Sequence, residues 1–338
     1  TRPKSSAASD VYKRQNYVYH ESQDIWTYGA KTYTSEGIAR VERIFGDLKK
    51  VSTPLPVTDC HPELDTSPLL GLDEHREFQM LLGMLQWLVT VSRPDLSHAV
   101  SSLNRFGACP REYHLELAVG AFGYLKQVPD PKIAIDHRPL EFTRKSPDFG
   151  SIRPDFLEDY PDAKEEVDKN FPTPFRPILD TTILCDADHG HDQKTRRSLT
   201  GLCGYVGSTL VLWSSKRQGS IASSTYAAEF AALRSATEEA ISLRYMLRCL
   251  GCTLPSNGSH PTKIFNDNFS VVQNAQNPAA DLSKKHVAIS YHLVREAVAA
   301  GIISPYWIKG QRNHSDIMTK QICTCLLYTS DAADDLGR

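Results

Sequence analysis

Four carboxylates stand where they could share a reaction. Asp186 falls where the apolar run Ile183-Leu184-Cys185 gives out, and Asp267 where Ile264-Phe265 does. Glu229 lies in the early turns of a long amphipathic pattern, and Asp316 just past a strand-loop junction. Carboxylates drawn from distant positions to one edge of a sheet raise one another's pKa unless cations sit among them. Hard oxygen ligands in an open site favour Mg²⁺ or Mn²⁺. Two such ions, about 4 Å apart, activate water and stabilise the leaving oxygen of a phosphodiester. Metal-dependent nuclease chemistry is the expectation. For Glu229 alone a helix-dipole role is the simpler reading; the ordered set of four argues for catalysis.

The neighbours of these acids divide into auxiliary groups and phosphate contacts. Asp188 is close enough to Asp186 to assist, although it reads more simply as a turn acid. His189 and His191 could ligate a soft divalent metal but read more simply as polar turn residues, and His314, beside Asp316, reads as a proton-transfer or product-release candidate or a polar loop residue. Lys194, Arg196 and Arg197 follow the first strand of this region, Lys216 and Arg217 end the third, and Asn268 adjoins Asp267. Each is a candidate contact to a nucleic-acid strand, with a solvated hairpin face as the equal alternative. Residues 181–324 carry fifteen basic and ten acidic side chains, a local excess that attracts phosphate.

The elements that must position these groups follow from periodicity. "ILDTTILCDAD", "SLTGLCGYVG" and "TLVLWSSK" predict three consecutive antiparallel strands, the last two joined by a hairpin at Gly207-Ser208. "STYAAEFAALRSATEEAISLRYMLRCLG" predicts a long helix capped by Thr225 and stopped at Gly251. A strand ending at Asp267, two helices, the strand "ISPYWIK" and a last helix opening at "HSDIMTK" complete the order. Upstream, residues 16–136 begin with alternating stretches and become mainly helical. "TSEGIARVERIF" has Thr34 or Ser35 as its cap, and Pro94 falls in the first turn of another helix. Residues 137–177, rich in proline and acid, read as an extended connector.

The whole chain has 338 residues, a formal net charge of −2 and 41% hydrophobic residues, which suits two packed domains. The sequence contains no apolar run of membrane-span length and no signal-peptide core. Together with eight cysteines in no regular framework, this predicts an intracellular protein with reduced thiols.

The blocks "CDADHGHDQKTRRSLTG", "LWSSKRQGSIASSTYAAEFAAL", "FNDNFSVVQNAQNP", "KKHVAISYHLVREAVAAGII" and "NHSDIMTK" resemble, in order, the ribonuclease H domain of copia-type retrotransposon Pol polyproteins. "EFQMLLGMLQWLVTVSRPDLSHAVSSLNRF" and "HLELAVGAFGYLK" resemble the segment joining reverse transcriptase to that domain. The resemblance implies an α/β fold, a ribonuclease H-like five-stranded mixed sheet flanked by helices at 178–324, preceded by a mainly helical reverse transcriptase C-terminal segment. It implies Asp186, Glu229, Asp267 and Asp316 as metal-binding and catalytic residues, two Mg²⁺ or Mn²⁺ ions, and endonucleolytic hydrolysis of the RNA strand of RNA:DNA hybrids. Implied partners are the hybrid and the remaining Pol domains, reverse transcriptase and integrase, in cytoplasmic virus-like particles. The alternatives are a degenerate or truncated hybrid-binding fragment without catalysis, and another metal nuclease on the same fold. The polymerase aspartate pair is expected upstream of Asn16, so no polymerisation is expected of this fragment.

Both ends read as artefacts at the level of DNA. "SDVYKRQ" back-translates to TCA GAT GTG TAT AAG AGA CAG, whose reverse complement, read one base along, encodes the "CLLYTS" near the other end. The pair resembles inverted transposase-type sequencing adapter, so residues 1–15 and 325–338 are expected to contribute nothing to the fold, and the last helix is expected to be cut short.

Overall fold

The computed structural model describes residues 15–58, 60–140, 154–256, 258–277 and 288–320. Apart from Gln15, the expected adapter tails lie outside these residues, as does any continuation of the last helix beyond Lys320. The chain divides into two compact units. The first takes in the described residues up to Asp136 with Asp192–Lys194 and Lys320, and the second holds the rest.

In the first unit, the alternating stretches form β1 (Asn16–His20) and β2 (Ile25–Gly29), and β3 (Ile133–Ile135) joins them in an antiparallel sheet. Four helices follow β2: α1 (Lys31–Phe45), α2 (Leu72–Val91), α3 (Ser97–Asn104) and α4 (Glu112–Gln127). Phe78, Leu81, Leu85 and Leu88 of α2 are buried with Ala118, Ala121, Phe122 and Leu125 of α4 in one core. α1 starts before the expected cap, with Ala30 at the N-cap and Thr34 buried inside the helix. Pro94 opens a 3₁₀ turn, Pro94–Leu96, that leads into α3; a proline needs no amide partner there.

The second unit is built on five strands in the order β6-β5-β4-β7-β8. These are β4 (Thr181–Asp188), β5 (Leu199–Val206), β6 (Thr209–Arg217), β7 (Thr262–Asn266) and β8 (Ile303–Trp307). β4, β5 and β6 are antiparallel neighbours, and β7 and β8 add in parallel. The expected hairpin turns at Gly207, whose φ is +61°. The helices are α5 (Pro154–Asp159), α6 (Thr225–Cys249), α7 (Phe269–Gln276), α8 (Ala288–Ala299) and the short α9 (Asp316–Thr319).

β4 is central, and alternation gives its residues to two covered faces. Ile183, Cys185 and Ala187 join Leu202 and Ile264 against Ala228, Phe230, Leu233 and Ala236 of α6. Thr182, Leu184, Asp186 and Asp188 take the other face, aligned with Tyr205, Cys203, Gly201 and Leu199 of β5. α6 is capped by Ser224, one residue before the expected Thr225, with the Ser224 hydroxyl accepting from the Ala227 amide at 3.2 Å. It stops as expected at Gly251, whose φ of +73° and a Cys252 N–H donated to the Leu247 carbonyl close a Schellman turn.

Residues 160–178 run almost without regular structure, yet are fixed to this unit. Glu165 accepts from both Arg244 and Arg248 of α6, each ion pair at 2.7 Å. The Tyr160 hydroxyl and His292 Nδ1 lie 2.8 Å apart, and Ile178 bridges to Thr253.

Candidate active site

β4 and β7 lie side by side in parallel, and Asp186 near the end of β4 comes level with Asp267, the residue just after β7. Counting outward, Cys185 and Asn266 fall on the face covered by α6, and Asp186 and Asp267 on the opposite face. α9 packs on that opposite face and brings Asp316. One carboxylate oxygen from each of Asp186, Asp267 and Asp316 lies within 4.8 Å of the other two, the one such cluster found among the described residues. Three hard anionic oxygens at this spacing match what a small divalent cation takes from protein.

Glu229 comes from α6 and reaches the same strand ends from the other face. It is buried, and Asn266 Nδ2 donates to its Oε2 at 3.1 Å. Burial, then the charge of Asp186, pushes its pKa up to about 8, against the Asn266 hydrogen bond. With no cation bound, Glu229 therefore holds its proton at neutral pH. The folded state binds this proton more tightly than the unfolded chain, so metal-free stability falls as pH rises from about 4.5 to about 8. Glu229→Gln removes that slope. In EDTA, urea unfolding is expected to show the variant gaining roughly 3 kcal/mol on the parent between pH 5 and pH 8. A parallel pair of curves would refute the assignment of that proton.

Several residues that hold the site are not acids. Asn266 is fully buried and also accepts from the Asn268 N–H at 2.8 Å. Asn313 Nδ2 donates to the Cys185 carbonyl at 3.0 Å, and its Oδ1 accepts from the Ser315 hydroxyl at 2.6 Å, fixing the loop before α9. The buried Thr319 hydroxyl donates to Asp186 Oδ2. Gly201, aligned with Asp186, lets α9 come this close: a Cβ there would lie 2.7 Å from the Ser315 carbonyl oxygen and 2.8 Å from Thr319 Cγ2. Gly201→Ala must push α9 and Asp316 outward. About 1–3 kcal/mol is expected to be lost in urea unfolding. Parental stability would show that α9 yields without consequence.

The other expected residues fall in varied places. Asp188 Oδ2 lies 2.8 Å from His191 Nδ1, and His189 Nε2 lies 3.1 Å from the Ala222 carbonyl. His314 Nδ1 lies 2.9 Å from the Tyr205 hydroxyl, and burial pushes its pKa down to about 4, so the ring is neutral at physiological pH. Asn268 spends its side-chain oxygen on capping α7, accepting from Val271 N–H at 3.3 Å. Arg217 is aligned with Leu199 and Asp188, on the face of the three aspartates; Lys216 is aligned with Thr200 and points to the other face. Arg196 is exposed at a φ of +57°, with its guanidinium near Gly190. Arg197 is half-buried, and Lys194 is exposed in the first unit.

No family model matches the chain. Over 292 residues, 86% of its length, it is 25% identical to the "Retrovirus-related Pol polyprotein from transposon RE2" of Arabidopsis thaliana. It is 24% identical over 247 residues, 72% of its length, to the corresponding protein of transposon TNT 1-94 of Nicotiana tabacum. The chain is similar to Pol polyproteins of copia-type retrotransposons. It spans 17% and 15% of these two relatives. Among solved structures, the N-terminal RNase H domain of a Mycobacterium tuberculosis protein aligns at 18% identity and a TM-score of 0.31, covering 41% of this chain and 91% of that one. A foamy viral protease-reverse transcriptase in complex with RNA/DNA hybrid aligns at 14% identity and a TM-score of 0.30, covering 50% of this chain and 23% of that one. The second unit itself carries a mixed sheet of five strands flanked by helices among the described residues.

Proposed function

We propose that the second unit is the ribonuclease H of a copia-type Pol polyprotein, cutting the RNA strand of RNA:DNA hybrids internally during reverse transcription. The observation that carries this reading is the approach of Asp186, Asp267 and Asp316 within 4.8 Å, with buried Glu229 behind them as the fourth acid. Divalent cations, Mg²⁺ or Mn²⁺ and two by analogy, would be held by these acids and would supply an activated water and charge neutralisation at the phosphate. The chain's own part is placement. Thr319 orients Asp186, and the Asn313 loop holds Asp316 against the sheet. Glu229, neutral in the metal-free protein, adds its negative charge once cations favour ionisation. Arg196, Arg197 and Arg217 are proposed to meet the strand backbones, with Lys194 and the Nδ2 of Asn268 as further contacts; Lys216, on the other face of the sheet, is left out of this set. Asp188 and His314 are at most auxiliary, since each already faces a partner in the fold.

The proposed setting is a Pol polyprotein with reverse transcriptase and integrase, working in cytoplasmic virus-like particles. No helix among the described residues is long and apolar enough to cross a membrane. The test is cleavage of an end-labelled RNA:DNA hybrid by the chain, beside single-stranded RNA and DNA duplex. Internal RNA cuts in the hybrid alone, abolished by EDTA and restored by Mg²⁺ or Mn²⁺, are expected. Cutting of DNA or single strands would instead support another metal nuclease, and binding without cutting a non-catalytic fragment.

A further inference from the structure

Two large aromatic side chains stand exposed beside Asp267. Trp307, the last residue of β8, is 45% exposed, and Phe269, the first of α7, is 60% exposed. Their ring centroids are 6.5 Å apart and their planes meet at 82°, so they form a corner. The Trp307 indole N–H donates to the Asp267 carbonyl at 2.8 Å, which anchors the ring before any ligand arrives. Exposed apolar surface of this kind, set next to convergent polar groups, marks a contact site more often than a scattered surface residue does.

The loop leaving β8 adds charge to the corner. Gly310 approaches Asp267 so closely that a Cβ would lie 3.2 Å from Oδ2. On either side of it, Lys309 and Arg312 are exposed and make no ion pair among the described residues. Proteins that hold nucleic acid with little regard to sequence set aromatic side chains beside cations that track the phosphate backbone. Three carboxylates would repel a polyanion, so neighbouring cations are needed to hold it there.

We infer that Trp307, Phe269, Lys309 and Arg312 form a sugar-phosphate subsite for the RNA strand of the hybrid, next to the bond to be cut. This rests on the ribonuclease H reading and adds residues to it. In a paired hybrid the bases are stacked within the duplex, so the rings meet riboses across the shallow minor groove, where the 2′-hydroxyls lie. Lys309 and Arg312 meet the phosphates on either side.

The test is binding of a fluorescent RNA:DNA hybrid to the full chain in EDTA, where it is not cut, over a series of salt concentrations. Phe269→Ala is expected to weaken binding about fivefold to tenfold. Lys309→Ala with Arg312→Ala should lower the slope of log affinity against log salt by about two. Phe175→Ala, an exposed ring elsewhere on the unit, should bind as the parent does. Hybrid should also quench tryptophan fluorescence in the parent and much less in Trp307→Phe. With circular dichroism confirming folded variants, parental affinity in Phe269→Ala and a parental salt slope in the double variant would overturn the subsite alone. If the parent itself fails to bind hybrid, the ribonuclease reading falls and the subsite falls with it.

Discussion

Asparagine in place of Asp267 is expected to lower hybrid cleavage about 10²–10³-fold, as removal of a charge-bearing group aimed at a reaction centre does, while making the metal-free protein more stable. Both effects have one cause. Asp186, Asp267 and Asp316 bring three carboxylate oxygens within 4.8 Å, an arrangement that attracts cations and is strained without them. Asparagine keeps the shape and leaves the Trp307 bond intact, because that bond goes to the Asp267 backbone carbonyl. What it removes is one negative charge and one anionic ligand. In EDTA the melting temperature should therefore rise by about 2–4 °C, equivalent to about 1 kcal/mol in a domain of this size. Added Mn²⁺ should raise the melting temperature of the parent more than that of the variant, since stabilisation by a ligand follows its affinity for the folded state. A variant that cleaves at the parental rate would remove Asp267 from the site; one that simply unfolds would show a lower melting temperature in EDTA.

The skeleton around these acids is legible in the sequence because its signals are local. β4 is announced by Ile183-Leu184-Cys185, the β5-β6 hairpin by Gly207, and the end of α6 by Gly251. The two misplaced caps have simple reasons. Ser224 and Thr225 are adjacent hydroxyls, either able to accept the first amide hydrogen bonds, and α1 begins at Ala30 without any capping side chain. The four acids were legible as strand-end and helix-start residues, but their sides were not. A single step of alternation puts Asp267 beside Asp186 and turns Asn266 toward Glu229. Asn266 did carry a signal, being an amide at a strand position where an apolar residue is usual; Gly201 carried a weaker one, since its partner α9 is more than a hundred residues away. Nor does anything local distinguish Glu165 within its acidic run. Only the pairing of Arg244 and Arg248, one turn apart on α6, singles it out, and that pairing is a matter of tertiary structure.

Replacing Glu165 with alanine is expected to cost about 3–5 kcal/mol of stability, the usual consequence of removing one partner from a buried ion cluster. The side chains of Arg244, Arg248 and Glu165 are 0%, 8% and 8% exposed. Burial alone would push the Glu165 carboxyl up, but the two guanidinium groups outweigh it and hold its pKa below the ordinary value. That contribution is present above the ordinary carboxylate pKa and is lost as pH falls through the lowered one, so the parent should lose this advantage over Glu165→Ala only in acid. Without Glu165, Arg244 keeps its bonds to the His260 and Pro255 carbonyls, and Arg248 its bonds to Leu254. The two positive charges are then left one helical turn apart with no counter-charge. Urea unfolding at pH 7 should show the loss, and the melting temperature should drop by roughly 10 °C. Arg244 lies fifteen residues beyond Glu229 on α6, about 22 Å along the helix, so hybrid cleavage at a temperature where the variant stays folded should be within about twofold of the parent. Replacing all three charges together, by Glu165→Met, Arg244→Leu and Arg248→Leu, should recover much of the stability, since apolar packing substitutes well for a buried ion cluster. If Glu165→Ala unfolds like the parent, residues 160–178 are not held to the second unit by this cluster. If it folds and stops cleaving, residues 160–178 reach the proposed metal-binding acids by a route other than local stability.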